Sequence, residues 1–148
     1  MRLLAGLQRY HRGPVRGKVL LATHDEARSI GPVLQEVDEA RSVLERSGVT
    51  LDVLIVDDGS SDGTLDTAVA EAERLGMRID VAKSHRPGRV AALLEGFERA
   101  LDDEPFEFLV TLDASGQHDA RQIPDLVRAH LANGGGVTIG SRWVRGGS

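Results

Sequence analysis

The sequence lacks cysteine entirely and is poor in aromatic residues, with three Phe, one Tyr and one Trp among 148 residues. Without cysteine the chain cannot form disulfides, use a thiolate nucleophile or bind zinc through sulfur. Any metal must therefore be held by oxygen or imidazole ligands. The absence of cysteine also favours a cytoplasmic location over an oxidising compartment.

Long hydrophobic runs are missing as well. No stretch approaches the roughly 20 apolar residues that a membrane-spanning helix requires, and the first residues lack the long apolar core of a signal peptide. A content of 41% hydrophobic and 28% charged residues is typical of a globular domain. A length of 148 residues suits one such domain.

Acidic residues are absent before Asp25, where Arg2, Arg9, Arg12, Arg16 and Lys18 lie unopposed. The net charge is −5, so the remainder of the chain carries −10, which disfavours nucleic-acid binding. We divide the chain into a basic leader, residues 1–17, and one domain, residues 18–148. Two interpretations of the leader stay open: a solvated terminus, or a foothold on anionic lipid that predicts peripheral association with the inner face of a membrane.

Short apolar runs alternate with segments of helical spacing. The runs at 19–22, 51–56 and 106–112 are typical of strands buried on both faces. Apolar residues at helical spacing predict helices over 30–44, 65–75 and 90–101, each with one apolar stripe; in the third helix this is Val90, Leu93, Leu94, Phe97 and Leu101. Weaker signals predict a strand at 77–81, a helix at 122–131 and a strand at 136–139. The alternation predicts a mostly parallel α/β sheet flanked by helices.

Polar clusters follow three of the predicted strands, at the edge where ligands of parallel sheets bind. In the second cluster, residues 57–64, Asp57 and Asp58 can accept hydrogen bonds from a base or ribose, and the helix start that follows favours anions. The alternative is an acidic turn in which Asp62 caps the next helix.

The third cluster places Ser115 and Gln117 at alternate positions after Asp113, a pattern of oxygen ligands suited to a hard divalent ion. The alternative is a structural turn at Asp113, with His118 as a polar loop histidine.

Five segments together resemble the family-2 glycosyltransferases, and especially polyprenyl-phosphate sugar synthases such as the dolichyl-phosphate mannose synthases. They are Val19 to Ala27 (VLLATHDEA), Leu54 to Thr64 (LIVDDGSSDGT), Gly88 to Phe97 (GRVAALLEGF), Leu112 to Asp119 (LDASGQHD) and Ile139 to Gly147 (IGSRWVRGG). The resemblance runs from about residue 18 to residue 148, and its motifs stand in the order that the family shows.

The resemblance implies a Rossmann-like nucleotide-diphospho-sugar transferase fold of the GT-A type, truncated on its acceptor side. It further implies transfer of a sugar from a GDP- or UDP-linked donor to an acceptor such as polyprenyl phosphate or another glycan, with Mg²⁺ or Mn²⁺ stabilising the diphosphate leaving group.

Carried over by motif, the residues that border the donor are Thr23, His24, Glu26, Asp57, Asp58 and Arg89; the metal ligands are Asp113, Ser115 and Gln117; and Asp113 and Arg142 are the catalytic residues.

Departures from the family pattern keep a second interpretation open. Ala22 and Asp25 replace the usual Pro and Asn of the first motif, and Ser115 stands where a second Asp of the metal motif is expected. A neutral hydroxyl there weakens the attraction for a cation. The alternative function is therefore a truncated or non-catalytic module that binds a nucleotide sugar.

Overall fold

The computed structural model describes residues 14–141. Four strands form one parallel sheet: β1 (Val15–Thr23), β2 (Val49–Asp57), β3 (Ile79–Lys83) and β4 (Phe108–Asp113). The helices are α1 (Ile30–Glu45), α2 (Thr64–Leu75), α3 (Arg89–Asp102) and α4 (Ile123–Ala132), the last preceded by a 3₁₀ turn at Ala120–Gln122. The predicted α/β class is confirmed.

The two central strands supply side chains to both faces of the sheet because successive residues of a strand point in opposite directions. Val19 and Leu21 of β1 face the larger core, which contains residues of α1, α2 and α4. Leu20 and Ala22 face a smaller core built against α3. Both faces of β1 are thus buried, which explains its continuous apolar run.

The strand order, β3-β2-β1-β4, reverses direction at β1. From β1 the chain moves outward through β2 to β3, and it then returns to the other side of β1 with β4. In open parallel sheets such a reversal leaves a crevice beyond the carboxyl ends of the strands, where ligands bind. The loops after β1, β2 and β4 border this crevice.

The sheet begins earlier along the chain than the sequence pattern indicated. Strand β1 starts at Val15, so Arg16 lies within the sheet and forms ion pairs with Asp52, at 3.1 Å, and with Glu104. Lys18 is only 4% exposed and pairs with Asp103. Two of the five basic residues near the N-terminus therefore hold the fold together.

The strand predicted at residues 136–139 is wrong. These residues have no regular secondary structure, and Val137 and Ile139 are 88% and 80% exposed. Gly134, Gly135 and Gly136 all have positive φ, which turns the backbone away from an extended path. No strand among residues 14–141 pairs with this segment, and an unpaired strand leaves its backbone groups without partners.

Helix α3 faces the sheet with a different side from the one that its apolar stripe indicated. Its buried residues are Ala92, Gly96 and Ala100, whereas Leu94 and Phe97 are exposed. A Cβ atom on Gly96 would lie 2.5 Å from Leu20 Cδ1. Small residues therefore form the contact because the helix lies too close to β1 for bulky ones.

This close contact predicts that Gly96→Ala destabilises the protein, although Ala favours helix by about 1 kcal/mol over Gly. We expect a net loss of about 1 to 2 kcal/mol, because the fully buried Leu20 must leave its rotamer. In a Leu20→Ala background the same substitution should instead stabilise, since the clash is gone. Urea unfolding of the four proteins checks this, and destabilisation of equal size in both backgrounds would contradict it.

Candidate functional site

Three loops meet beyond the carboxyl ends of the central strands. The first loop, residues 23–29, follows β1; the second, residues 57–63, follows β2; and the third, residues 113–119, follows β4. Parallel pairing places Thr23 beside Asp57 and Ala22 beside Asp113. The three predicted polar clusters therefore share one edge of the sheet.

Asp57 is the most deeply buried carboxylate of this edge, with 1% of the residue exposed. Its Oδ1 accepts a hydrogen bond from Thr23 Oγ1 at 3.0 Å and another from the Ser60 hydroxyl, and its Oδ2 accepts one from the Ser60 amide at 2.9 Å. Thr23 is itself 2% exposed. These two predicted donor-binding residues thus bind each other and fix the second loop.

Asp58 points toward the chain that precedes α3. Each of its carboxylate oxygens lies 2.9 Å from the Gly88 amide nitrogen, which donates to them. Its own amide donates to the Thr23 carbonyl at 2.8 Å. His24 Nδ1 lies 2.6 Å from the Asp58 carbonyl oxygen, and this hydrogen bond raises the pKa of His24. Asp58 consequently joins both neighbouring loops.

The first loop is held to the second mainly through Asp25. This residue has φ of 52°, in the left-handed region that Asp and Asn tolerate best among non-glycine residues. Its amide donates to Ser60 Oγ at 2.9 Å, and its Oδ1 accepts from the Ser61 amide at 2.8 Å. Asp25, which stands where the family pattern has Asn, therefore ties the first loop to the second.

The predicted helix start at Asp62 serves two segments at once. Its Oδ1 accepts a hydrogen bond from the Thr64 amide at 3.0 Å at the start of α2, and its Oδ2 accepts one from the Ala27 amide at 3.0 Å. The Thr64 hydroxyl also donates to Asp62 Oδ1, at 2.5 Å. This bond contributes most, and the two amide bonds contribute further, to lowering the pKa of Asp62. The Glu26 amide also donates to Thr64 Oγ1, at 2.8 Å. Asp62 and Thr64 are therefore structural links between the loops.

The third loop brings Arg89 to Asp113. Arg89 Nη2 lies 2.5 Å from Asp113 Oδ1, which also accepts a hydrogen bond from the Ser115 amide at 2.9 Å. Burial opposes ionisation of this carboxyl, but the hydrogen bond from the Ser115 amide and the Arg89 charge outweigh it and hold the pKa of Asp113 below its usual value. The His118 Nδ1 accepts from the Asp113 amide at 3.3 Å.

The metal ligands expected in this loop differ in their surroundings. Ser115 Oγ is buried and has no hydrogen-bond partner among residues 14–141. Gln117, in contrast, is exposed. No group of three or more His, Asp or Glu side chains within residues 14–141 is arranged to hold a metal ion. Asp113 with the unpartnered Ser115 hydroxyl fits a cation that takes most of its ligands from a bound diphosphate and water.

Glu95 is a residue that the sequence pattern did not single out. One turn and a half into α3, its carboxylate accepts hydrogen bonds from the backbone amides of His85 and Arg86 at 2.8 and 3.1 Å. It thereby holds the segment that carries Gly88, the partner of Asp58. The sequence offers only a weak signal for this role, the basic residues His85 and Arg86 upstream of an acid in α3. The contact itself depends on how the chain before α3 folds back on the helix.

The structure thus joins Thr23, His24, Asp57 and Asp58 into one network, pairs Arg89 with Asp113, and sets Glu26 beside the start of α2. Arg142, the remaining predicted site residue, lies outside the described residues.

Comparison with known proteins identifies relatives along most of the chain. Residues 19–148 match the model of the family described as Glycosyl transferase family 2. A dolichol-phosphate mannosyltransferase from Pyrococcus furiosus is 29% identical over 129 residues, 87% of this chain and 34% of the relative. A polyprenol monophosphomannose synthase from Mycolicibacterium smegmatis is 31% identical over 137 residues, 90% of this chain and 47% of the relative.

Solved structures show the same fold. A mannosyltransferase from Pyrobaculum calidifontis, in complex with GDP-Man and Mn²⁺, superposes with a TM-score of 0.61 at 24% identity, covering 84% of this chain and 38% of that one. The expected GT-A fold is confirmed. The chain spans between a third and a half of the length of these two sequence relatives. Within residues 14–141, no helix has the length and apolar character needed to cross a membrane.

The hydrogen bonds of Glu95 predict a pH dependence. The His85 amide contributes most to lowering the pKa of Glu95 from 4.5 to about 2. Because the folded pKa is depressed, the stabilisation is complete above about pH 4.5 and is lost as the pH falls toward 2. We therefore expect Glu95→Gln to be less stable than the parent at pH 6, with the difference shrinking toward pH 2.5.

Unfolding free energies measured by urea at intervals between those pH values check this expectation. Glu73→Gln, an exposed acid on α2, is the control and should leave the pH profile nearly unchanged. A Glu95→Gln deficit that stays constant with pH would show that the carboxylate charge does not hold the segment.

Proposed function

Because this chain belongs to glycosyl transferase family 2, we propose that it forms the donor-binding half of an enzyme that transfers a sugar from a nucleoside diphosphate. The observation that carries the proposal is how the strand-end loops are connected: Asp57 joins the first two loops, and Asp58 and Asp113 join the second and third loops to the start of α3 at Gly88 and Arg89. A site whose loops are already connected requires little reordering when a donor binds.

The nucleoside end of the donor is assigned to the first two loops. We place the base and ribose beside Asp58, His24 and Glu26, whose side chains offer charge and hydrogen bonds at the sheet edge. Thr23 and Asp57 are buried and bound to each other. Their proposed role is to position these two loops from the buried ends of β1 and β2.

The diphosphate is assigned to the start of α3. Arg89 begins this helix, and the positive end of a helix dipole favours phosphate. The Gly88 amide just before it is already bound to Asp58. Arg89 already lies against Asp113, at the border between the second and third loops. Its planar guanidinium, with five donors, is suited to phosphate oxygens.

The third loop is assigned to the divalent cation. Asp113, Ser115 and Gln117 would hold Mg²⁺ or Mn²⁺, and the cation would supply charge neutralisation for the diphosphate leaving group. Support comes from the buried, unpartnered Ser115 Oγ two residues from a carboxylate, and from the Mn²⁺ bound by the Pyrobaculum mannosyltransferase.

The acceptor is proposed from the relatives. The names of the Pyrococcus and Mycolicibacterium enzymes indicate dolichol and polyprenol phosphates, so a polyprenyl phosphate is the proposed acceptor, with Arg142 near a donor or acceptor phosphate. A lipid-linked acceptor would place a cytoplasmic enzyme at the inner face of a membrane.

A second candidate function is a nucleotide-sugar-binding module without catalysis. The observation that favours it is Ser115 in the place of the family's second metal-binding Asp. With a single carboxylate in the third loop, metal binding depends on the phosphates of the donor. The two functions share the donor site and differ in whether transfer follows.

Donor binding predicts a difference between neighbouring carboxylates. Asp58→Ala should weaken GDP or UDP binding at least about tenfold, or about 1.4 kcal/mol, because a contact and the position of Gly88 are lost. Asp62→Ala should mainly lower the melting temperature, since its carboxylate binds Ala27 and Thr64. Calorimetric titration with GDP, UDP and their sugar conjugates in Mn²⁺ checks this. Loss of binding in Asp62→Ala with normal binding in Asp58→Ala would contradict it.

Metal binding predicts opposite effects at Ser115 and Asp113. Ser115→Asp should tighten Mn²⁺ binding roughly tenfold, which is about 1.4 kcal/mol. This gain is well below the Coulomb energy of about 4 kcal/mol for two close charges, because desolvation of the new carboxylate opposes it. Asp113→Asn should abolish binding. Ser61→Asp adds the same charge to the exposed second loop and should change little.

Titration of Mn²⁺ with and without GDP provides the measurement. Equal affinity in all four proteins would exclude the third loop as the metal site. Tight Mn²⁺ and donor binding without transfer or donor hydrolysis, even in Ser115→Asp, would favour the module over the enzyme.

A further inference from the structure

His24 and Asp25 are exposed neighbours in the first loop, at the edge assigned to the donor. The two ring nitrogens of His24 face different groups. Nδ1 lies 2.6 Å from the carbonyl oxygen of Asp58, and Nε2 lies 3.6 Å from Asp25 Oδ2. The imidazole is therefore held between a carbonyl of the second loop and a carboxylate of its own loop.

These two contacts decide where the ring carries its protons. A carbonyl oxygen only accepts hydrogen bonds, so Nδ1 is the donor to Asp58. In a neutral imidazole Nε2 then presents a lone pair to the Asp25 carboxylate, which is an acceptor as well. Two acceptors repel each other, whereas a protonated Nε2 is attracted to the carboxylate. The geometry therefore favours the charged ring.

The charged groups around His24 act in the same direction. The hydrogen bond to the Asp58 carbonyl contributes most to raising the pKa of His24 above 6.5, and the charges of Asp25, Asp58 and Asp57 add to it, whereas burial opposes it. Glu26 of the same loop is occupied by the Ser29 hydroxyl, which donates to its Oε2 at 2.7 Å. The surrounding acids thus stabilise a cation at this point of the first loop.

The charge on the ring determines what Nε2 can bind. A protonated imidazole donates and cannot accept, so its partner must offer an acceptor such as oxygen. At 3.6 Å the contact with Asp25 is an ion pair rather than a hydrogen bond, which leaves the Nε2 proton available to a ligand. Nucleoside diphosphates offer phosphate oxygens, and uracil and guanine also offer a carbonyl oxygen where cytosine and adenine carry an amino group.

We propose that Asp25 is a positioning residue that keeps His24 protonated, and that His24 Nε2–H donates a hydrogen bond to an acceptor oxygen of the bound nucleoside diphosphate. This role rests on the donor site proposed above. Asn, which stands at the position of Asp25 in the family pattern, is neutral and would not favour the charged ring. The pair gives this donor site a cation that depends on pH.

The substitution Asp25→Asn separates the charge from the structure of the loop. Asn also tolerates the left-handed backbone, and its side-chain oxygen can still accept from the Ser61 amide, so the melting temperature should change little. NMR titration of the free protein should place the pKa of His24 above 6.5 in the parent and lower in Asp25→Asn. Asp80→Asn, an exposed acid in β3, is the matched control and should leave the pKa at the parental value. Equal pKa values in the parent and Asp25→Asn would overturn the proposal.

Donor binding provides the second readout. The diphosphates of UDP-glucose and GDP-mannose do not titrate near neutral pH, so calorimetric titrations in Mg²⁺ between about pH 5.5 and 8.5 report on the protein. The parental affinity should fall roughly three- to tenfold as the pH rises through the pKa of His24. In Asp25→Asn the fall should occur at lower pH, and His24→Gln should remove it.

A flat parental profile, or the same profile in Asp25→Asn, would overturn the role of this pair and leave donor binding intact. Absence of binding at every pH would overturn the proposed function together with this role. The NMR titration needs no ligand and tests the His24–Asp25 pair separately in either case.

CDP-glucose and ADP-mannose identify the oxygen that His24 binds. If it is a base carbonyl, these two compounds should bind more weakly than UDP-glucose and GDP-mannose at low pH, with the gap narrowing as the pH rises. If it is a phosphate oxygen, all four should lose affinity equally. A gap that widens with rising pH would show that Nε2 accepts from the donor, which would overturn the proposal.

Discussion

The hydrogen bonds of the buried Asp57 carboxylate are the interaction on which the first two strand-end loops depend. Parallel register sets it beside Thr23, so one side chain can accept hydrogen bonds from β1 and from Ser60 of the following turn. A charged group that is 1% exposed is stable only when such donors surround it. The shape of the first two loops therefore follows from satisfying one carboxylate at the end of a buried strand pair.

Other acids near Asp57 also accept hydrogen bonds from backbone amides. Asp58 accepts from the Gly88 amide, and Glu95 holds the two residues just upstream of that glycine. Acids of the site thus act first on backbone amides, which fixes the loops before any ligand arrives. The third loop is less connected, because the only amide that Asp113 binds is that of Ser115 in the same loop, its other partner is the Arg89 side chain, and Ser115 Oγ has no partner among residues 14–141. We infer that the first two loops are preformed and that the third is completed by a ligand.

The two faces of the sheet are covered unequally, and α3 shows the consequence. Among the helices of residues 14–141, three bury the larger core, whereas α3 alone covers the smaller one and approaches through Gly96. Close approach requires small residues inside, so the bulky apolar residues remain outside. The exposure of Val90, Leu94, Phe97 and Leu101 is therefore a direct result of how near this helix lies to Leu20.

Local pattern determined the parts of this protein that depend on which residues are apolar and at what spacing. The buried strands, the polar clusters after them and the family motifs from Val19 onward were all readable in the sequence. The tertiary structure alone decided that Asp57 is enclosed, that Glu95 supports Gly88, that α3 turns its small residues inward and that residues 136–139 form no strand. The enclosure of Asp57 and the orientation of α3 depend on distances between segments far apart in the chain, and the Glu95 contact and the path of residues 136–139 depend on how the backbone turns. Apolar spacing within a segment carries no information about either.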